Sequence, residues 1–328
     1  METTAEVSDV VRNLGTSVWA FSALSSAVEA GLLDYLTEPR TSSYIGEQTG
    51  TPAALVERVL DIMAALGLVR REGDVFASEP GLLPSLQSPA KQYLLADVRT
   101  TYLQAWHLID SAKRHSVALG WHFTDPETLN VMGLFSAREA DGMAGRLTQA
   151  LEGLAERMQA PSPAFLDVGS GVGAISIVLC RHFPNLRVVG LEPADAPLAE
   201  ARRNIAAAGL GNRTELRRQR VEEMTDSEEF DLAYFPQMFM ADEVFEPGLR
   251  ALWTALRPGG WLMTGTFSLP GAELEPAVGR LRDTLFGGGG RPAEEVAAKM
   301  TDAGFGAVRV IVPPGKGTMR VVLGRRPI

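Results

Sequence analysis

Cysteine is almost missing from this sequence of 328 residues. Its single cysteine, Cys180, cannot form a disulfide within one chain. Disulfides belong to oxidising compartments, so this composition fits a reducing one. Cys180 lies in an apolar stretch, where a small buried side chain is expected rather than a reactive thiol.

Basic residues are also in short supply. Lysine and arginine number 31 against 40 aspartates and glutamates, which gives a net charge of −9. This balance argues against broad nucleic-acid binding, which needs a basic surface. No apolar run approaches the roughly 20 residues that span a bilayer. Residues 1–9 are acidic and polar, unlike a signal peptide. We therefore expect a cytoplasmic protein with no membrane partner, no nucleic-acid partner and no bound metal.

The sequence does contain a glycine-rich loop between two apolar runs. Residues 164–168 predict a buried strand that ends at glycines, residues 174–180 a buried helix, and residues 187–191 a second strand. A strand, a glycine loop, a helix and a second strand form the first half of a doubly wound α/β sheet.

The loop has features of a nucleoside-binding site. Gly169, Gly171 and Gly173 have no Cβ, so a ligand can approach the backbone closely. The loop follows the first strand, at the sheet edge where such folds bind ligands. Asp167 precedes the loop, and Glu192 ends the next strand, where its carboxylate could accept both hydroxyls of a ribose. The alternative is a glycine turn that only packs a helix on a strand.

The N-terminal part predicts a winged helix. Residues 41–50 and 52–66 predict two helices, and residues 68–77 a hairpin. DNA binding is one alternative, but the second helix carries only Arg58 as a base, whereas groove reading uses several basic and amide side chains. Residues 10–36 add a helical segment, interrupted at Gly31, whose surplus apolar face near Trp19 indicates either a second subunit or burial within the chain.

Three of the four histidines fall in the middle of the chain. His107, His115 and His122 lie beside Trp106 and Trp121, among predicted helices over 91–117, 128–135 and 137–159. Aromatic rings next to histidines suit the wall of a substrate pocket. The alternative for each histidine is a surface position or a satisfied place in the core.

The C-terminal part continues the sheet. Strands are predicted over 214–218, 230–235, 261–266, 308–312 and 319–323, with a turn at 257–260. Glu222 follows the third strand, where it either accepts from an adenine amino group or belongs to a solvated charge cluster. Four glycines at 287–290 predict a mobile tip or lid hinge unless something orders them.

The two halves, in this order, resemble the S-adenosylmethionine (SAM)-dependent O-methyltransferases that act on small molecules in plant and bacterial secondary metabolism. The resemblance implies an α/β protein in three parts. An all-α winged-helix dimerisation domain would span 1–90, and a helical linker over 91–160 would contribute to the substrate pocket. A doubly wound, Rossmann-like SAM domain with a seven-stranded sheet would span 161–328. The resemblance also implies a homodimer joined through the N-terminal helices. Its markers are residues 27–36, 55–69, 167–173, Glu192, Phe230-Asp231, 257–260 and 303–305.

The resemblance assigns roles to site residues. Asp167 and the glycine loop would hold the methionine end of SAM, Glu192 the ribose and Glu222 the adenine. The expected contacts of SAM, and of its product S-adenosylhomocysteine (SAH), are Asp167, Gly169, Ser170, Gly171, Gly173, Glu192, Pro193, Val221, Glu222, Phe235, Pro236 and Gln237. The expected acceptor pocket comprises Tyr102, Trp106, Phe135, Met238, Phe239 and Met240.

The chain departs from this family at the general base. Family members carry a histidine after the fourth strand that deprotonates the acceptor hydroxyl. Residues 238–243 contain none, and no histidine follows His182. The base is then His107, His115 or His122, or the acceptor needs no strong base. An activated carbon, an acidic phenol or an amine would be such an acceptor, with catalysis by proximity.

Chemistry without methyl transfer (decarboxylation, hydroxylation or cyclisation) is a further alternative. We predict C-, N- or base-independent methyl transfer to a small aromatic metabolite.

Overall fold

A computed structural model describes residues 6–88, 90–267, 269, 271–312 and 319–328. The chain forms two compact units, Met1–Leu103 and Gln104–Ile328, and the boundary lies inside a long helix. Among the described residues, no helix combines the length and the apolar character that crossing a membrane requires.

The first unit contains the predicted winged helix. Its core packs Leu32, Ile45, Leu60 and Phe76 between the helices and a three-stranded antiparallel sheet of order β1-β3-β2. Its elements are α1 (Val7–Glu29), β1 (Arg40–Thr41), α2 (Ser42–Thr49), α3 (Ala53–Ala65), β2 (Val69–Glu72), β3 (Val75–Ser78) and the start of α4 (Ala90–Lys113).

Charged side chains of the winged helix form ion pairs with one another. On α3, the Arg58 guanidinium pairs with Glu57 and Asp61. Arg71, on β2, pairs with the same two carboxylates. These pairs leave the α3 face without the surplus of free cations that phosphate contacts require.

Helix α1 exposes a row of apolar side chains. The Trp19 side chain is 75% exposed, whereas Ala23, Ala27 and Val28 near the end of the helix are buried. The exposed apolar side chains on α1 are Val7, Val10, Val11, Leu14, Val18 and Trp19. The predicted surplus apolar face is therefore present, and residues of the same chain cover only its last turns.

The second unit is built on the predicted seven-stranded sheet, which is confirmed. In its strand order, β6-β5-β4-β7-β8-β10-β9, the first five strands are parallel, and β10 runs antiparallel to its neighbours β8 and β9. The helices are α5 (Pro126–Ala150), α6 (Leu154–Met158), α7 (Ala174–His182), α8 (Asp195–Ala207), α9 (Asp242–Ala255), α10 (Leu274–Leu285) and α11 (Ala293–Asp302). The strands are β4 (Ala164–Val168), β5 (Arg187–Leu191), β6 (Thr214–Arg217), β7 (Phe230–Phe235), β8 (Leu256–Thr266), β9 (Gly306–Ile311) and β10 (Arg320–Arg325).

The sheet is covered on both faces. Strand β4 alternates, so that Leu166 and Val168 join one apolar cluster while Phe165 joins the other. Helices α9 and α11 contribute to the first cluster, and α6, α7 and α8 to the second. Burial on both faces explains why the strands are continuous apolar runs.

Two predicted boundaries are wrong. Residues 126–150 form one helix rather than two, and the first break comes at Gly153, which has a φ of 74°. The predicted turn at 257–260 lies inside β8, where it forms a bulge between the pairs Phe230–Leu256 and Leu232–Trp261. Asp231 stabilises this bulge by accepting hydrogen bonds from Arg257 at 2.5 Å and Arg157 at 3.0 Å. The loop predicted at 313–317 lies outside the described residues.

Candidate active site

The glycine loop forms a tight turn at the carboxyl end of β4. Gly169, Gly171 and Gly173 have φ values of 60°, 55° and 78°, which favour glycine. The loop is tied down because the Ser170 N–H donates to the Leu191 carbonyl at 2.9 Å. Its backbone therefore stands open toward the space above β4 and β5.

Glu192 organises the same edge of the sheet. Its side chain is buried, and its two carboxylate oxygens accept from the Gly171 N–H at 3.0 Å and the Ala194 N–H at 2.9 Å. Burial raises the pKa of this carboxyl, and the two backbone donors oppose that rise. Each oxygen keeps a further lone pair for a ligand.

Asp167 lies behind the loop rather than on its open side. It is fully buried, and Oδ2 accepts from the Ser176 hydroxyl at 2.6 Å, whereas Oδ1 has no hydrogen-bond partner among the described residues. Asp167 does not line the cavity described below. Burial raises the pKa of Asp167 to about 7, opposed by the Ser176 hydrogen bonds and aided by the Glu192 charge.

The pKa of Asp167 predicts a pH-dependent stability difference. The folded value lies above the unfolded value near 4, so the stabilisation of the protonated form is lost as pH rises from about 4 to 7. Asp167→Asn keeps an acceptor for Ser176 and removes the titration. We expect the variant to gain about 2–3 kcal/mol relative to the parent protein between pH 5 and pH 8.

Denaturant unfolding at both pH values measures this difference. Asp195→Asn, at an exposed carboxylate on α8, is the matched control. Equal shifts for the Asp167 variant and its parent would show that Asp167 does not titrate in this range.

A cavity of about 800 Å³ opens above the glycine loop. Ten predicted site residues line it: Gly169, Ser170, Gly171, Glu192, Pro193, Val221, Glu222, Pro236, Phe239 and Met240. Gly173, Phe235 and Gln237 lie outside the lining, in the helix cap or the core.

Two buried polar atoms of the lining have no partner among the described residues. They are the Ser170 hydroxyl and Oε2 of Glu222, whose other oxygen accepts from Arg220 at 2.5 Å. Burying an unsatisfied polar atom costs about 1–3 kcal/mol, so such atoms mark places for ligand donors. A nucleoside with a carboxyl and amino tail offers such donors. The glycine loop, Glu192 and Glu222, which we call the cradle, fit such a ligand.

Aromatic rings close another wall of the cavity. Trp121 packs against Phe239, Phe286 and Phe123 with ring centroids 5.4, 5.7 and 5.2 Å apart. Trp121 and Phe239 line the cavity directly. Flat apolar rings at these distances suit an aromatic ligand.

The glycine run forms part of the same wall. A Cβ on Gly288 would overlap the backbone of Met238, and one on Gly287 would lie 3.1 Å from the Gly120 Cα. Hydrogen bonds from the N–H groups of Gly287 and Gly288 to α10 carbonyls measure 3.0 and 2.9 Å. The packing against Met238 and Gly120 is what orders this segment.

Arg291 fixes the segment that replaces the expected histidine. Its guanidinium is buried and donates to the Met240 carbonyl at 3.1 and 3.2 Å and to Gln237 at 3.3 Å. It also pairs with Asp242 and lies 4.2 Å from the centroid of the Phe245 ring. The position of Met238–Met240 is thus set by a buried cation.

The three candidate histidines lie outside the lining of this cavity and of the smaller cavity described below. The His107 ring packs 5.0 Å from Phe123, and the His122 Nε2 lies 3.1 Å from the Leu119 carbonyl. His115 is exposed. The role of a base at any of them stays a prediction. His182 pairs with Asp141 at 2.9 Å.

The predicted acceptor residues fall into two groups. Phe135, Met238 and Phe239 line a second, smaller cavity of about 100 Å³. Trp106 is exposed, with Lys113 over its ring at 5.3 Å. In the first unit, the Tyr102 hydroxyl donates to Glu29 at 3.3 Å. No group of three potential metal ligands occurs among the described residues.

Several residues that line the cavities were not predicted from the sequence. Tyr234 and Ile175 lie within apolar runs that predict only burial, and Met132 and Ser136 lie on α5 without any motif. Trp121 was marked only by its neighbouring histidines. Residues that line a cavity without having been assigned to it include Trp121, Met132, Ser136, Glu139, Ile175, Tyr234, Thr264 and Gly287.

Comparison with known proteins bears on this site. Residues 165–260 match a family described as "Methyltransferase domain". The chain is 29% identical over 206 residues to the N,N-dimethyltransferase OxyT of Streptomyces rimosus, covering 57% of each protein. It is 31% identical over 195 residues to a release factor glutamine methyltransferase of Cereibacter sphaeroides, covering 54% of this chain and 64% of that one. The chain thus spans less than two thirds of each of these relatives.

Solved structures extend the likeness to the whole fold. CalO1, a methyltransferase in calicheamicin biosynthesis solved with SAH bound, superposes with a TM-score of 0.66 at 19% identity, covering 99% of this chain and 100% of that one. The likeness therefore includes both units of the fold.

Proposed function

We propose, starting from the methyltransferase domain that residues 165–260 form, that this protein is a SAM-dependent methyltransferase of natural-product metabolism. The observation that carries the proposal is the cradle at the carboxyl edge of the sheet. It combines an open glycine loop, the buried Glu192 carboxylate and the Oε2 of Glu222, which has no partner in the described part of the chain. When bound, SAM supplies an electrophilic methyl group and leaves as SAH.

In this proposal the residues of the cradle bind and orient. The loop backbone and Ser170 hold the methionine end, Glu192 accepts from the ribose, and Glu222 accepts from the adenine amino group. Asp167 supports the loop from behind through Ser176.

The acceptor is a small aromatic molecule in this proposal. The Trp121 and Phe239 rings, which meet edge to face, supply an aromatic wall, and Arg291 holds the Met238–Met240 segment in place. Neither methionine nor phenylalanine accepts a proton, so the transfer depends on alignment in an apolar cavity. The relative OxyT is named an N,N-dimethyltransferase, and a nitrogen acceptor is compatible with a segment at Met238–Met240 that carries no histidine.

A second copy of the chain covers α1 in this proposal. The exposed row from Val7 to Trp19 is an apolar patch, of the kind that marks protein interfaces. Light scattering should give the mass of a dimer, and Trp19→Asp should halve it.

We assign no nucleic-acid role to the winged helix, since Arg58 and Arg71 are paired with carboxylates. The lone buried thiol fits the cytoplasm.

Calorimetric titration with SAH tests the function. We expect saturable binding at one site per chain in the micromolar range. Adenosine alone should bind more weakly, because it lacks the end that the glycine loop holds. No heat at high micromolar SAH, with circular dichroism showing a folded protein, would end the proposal.

A further inference from the structure

The second cavity is lined mainly by apolar side chains, and a few polar groups lie among them. Of its described lining, four side chains are polar and the others are apolar or glycine. The polar four are Ser136, Glu139, Tyr234 and Thr264. Glu139 is the only carboxylate in this lining, and its side chain is 32% exposed and paired with Arg138 at 3.1 Å.

Thr264 carries a buried hydroxyl that is available for a hydrogen bond. The residue is fully buried on β8, and its Oγ1 has no hydrogen-bond partner among the described residues. A buried hydroxyl is normally satisfied, because leaving it unpaired costs stability. Its place in the cavity lining makes it available to a polar group that enters there.

The two cavities lie side by side, and their sizes differ. Ser136, Ile175, Tyr234 and Phe239 line both of them. A cavity of roughly 150 Å³ is enough to bind benzene, so the second cavity, at about 100 Å³, is too small for a ring. It can hold the head group of an acceptor whose ring lies in the larger cavity.

The charges in the second cavity favour one kind of head group. Burial raises the pKa of Tyr234, as do the charges of Asp167 and Glu139, so its hydroxyl stays protonated at neutral pH. A phenolate or enolate would face the carboxylate of Glu139 and be repelled. A basic amine offers N–H donors to the oxygens of Glu139, Tyr234 and Thr264.

We propose that the second cavity binds the basic amino head group of the acceptor, with Glu139 as its counter-charge and Tyr234 and Thr264 as hydrogen-bond partners. For the transfer itself the inference rests on the proposed function. The bound ammonium first gives a proton to the partly exposed Glu139 carboxylate, from which it passes to water, and the nitrogen lone pair is freed. The lone pair then forms the new N–C bond to the methyl carbon, the S–C bond breaks with its electron pair left on sulfur, and the product leaves as the methylated ammonium.

Matched probes test the head-group preference apart from turnover. Naphthylmethylamine and naphthylmethanol share a ring and differ in the head group. Their binding to the protein is measured by calorimetry, with and without SAH, at pH 7.5. We expect the amine to bind at least about tenfold more tightly than the alcohol, since it gains charge-assisted hydrogen bonds.

Two variants test which residues cause the preference for the amine over the alcohol. In Glu139→Gln, the affinity for the amine should fall to within about threefold of the affinity for the alcohol. In Thr264→Val, the affinity for the amine should fall more than the affinity for the alcohol. Glu156→Gln, at an exposed glutamate on α6, should match the parent protein. SAH affinity should be unchanged in all of them.

Equal binding of the two probes, no binding of the amine up to millimolar concentration, or a preference that survives Glu139→Gln would overturn the inference. Loss of SAH binding by the parent protein would instead remove the proposed function. If Glu139→Gln does not fold, Thr264→Val decides alone.

Discussion

Glu192→Ala is expected to weaken SAH binding by about 10- to 150-fold, the range for hydrogen bonds to a charged group. The carboxylate has two tasks in this expectation. It accepts from the ribose, and it holds the loop by accepting from the Gly171 and Ala194 N–H groups at 3.0 and 2.9 Å. Without it, the ligand loses an acceptor and the loop loses its anchor.

The control for Glu192→Ala is Glu229→Ala. Glu229 is exposed beside the start of β7, at the opposite edge of the sheet from the cradle, and its removal should leave SAH affinity unchanged. Calorimetry on both variants, below their unfolding temperatures, gives the comparison. An affinity within twofold of the parent protein for Glu192→Ala would contradict the ribose assignment.

Asp231→Ala is expected to lower the free energy of unfolding by about 2–4 kcal/mol, because a buried hydrogen-bonded carboxylate is lost from between two arginines. Asp231 is buried and accepts from Arg157, from Arg257 and from the Ala164 N–H at 3.0 Å. It thereby joins α6, the start of β4 and the bulge of β8. The arginines are partly exposed, so solvent screens part of the loss.

Thermal and denaturant unfolding measure the effect of Asp231→Ala. Asp195→Ala is the matched control, since the Asp195–Arg218 pair is exposed on both sides and should contribute under about 1 kcal/mol. SAH affinity of the folded variant should be retained, because Asp231 lies at the far edge of the sheet from the cradle. Equal stability losses for the two variants would show that the Asp231 network does not hold the bulge.

The cradle was predictable because its signals are local. An acid, three glycines and a second acid fall within 26 residues, from Asp167 to Glu192, on elements whose order follows from apolar runs. The sheet was predictable for the same reason, since strands buried on both faces are continuous apolar runs.

Phe135, Met238 and Phe239 of the second cavity were assigned to the acceptor pocket from the sequence. Its polar side chains were not, because their placement depends on which way each side chain faces and on long-range packing. Tyr234 belongs to an apolar strand, and nothing in that run tells which way its hydroxyl points. Glu139 lies within α5, in a stretch where the sequence predicted two helices and the structure has one. The bulge of β8 also depends on a distant residue, Asp231, in addition to its own Gly259, which has a φ of 79°.

The wall made by Gly287 and Gly288 has a consequence for redesign. Main chain faces Met238 and Gly120 there, so any added side chain would push the backbone apart before it reached an acceptor. A library that seeks new acceptors should therefore leave these positions fixed and randomise Met132, Trp121 and Phe239, whose side chains line the cavity.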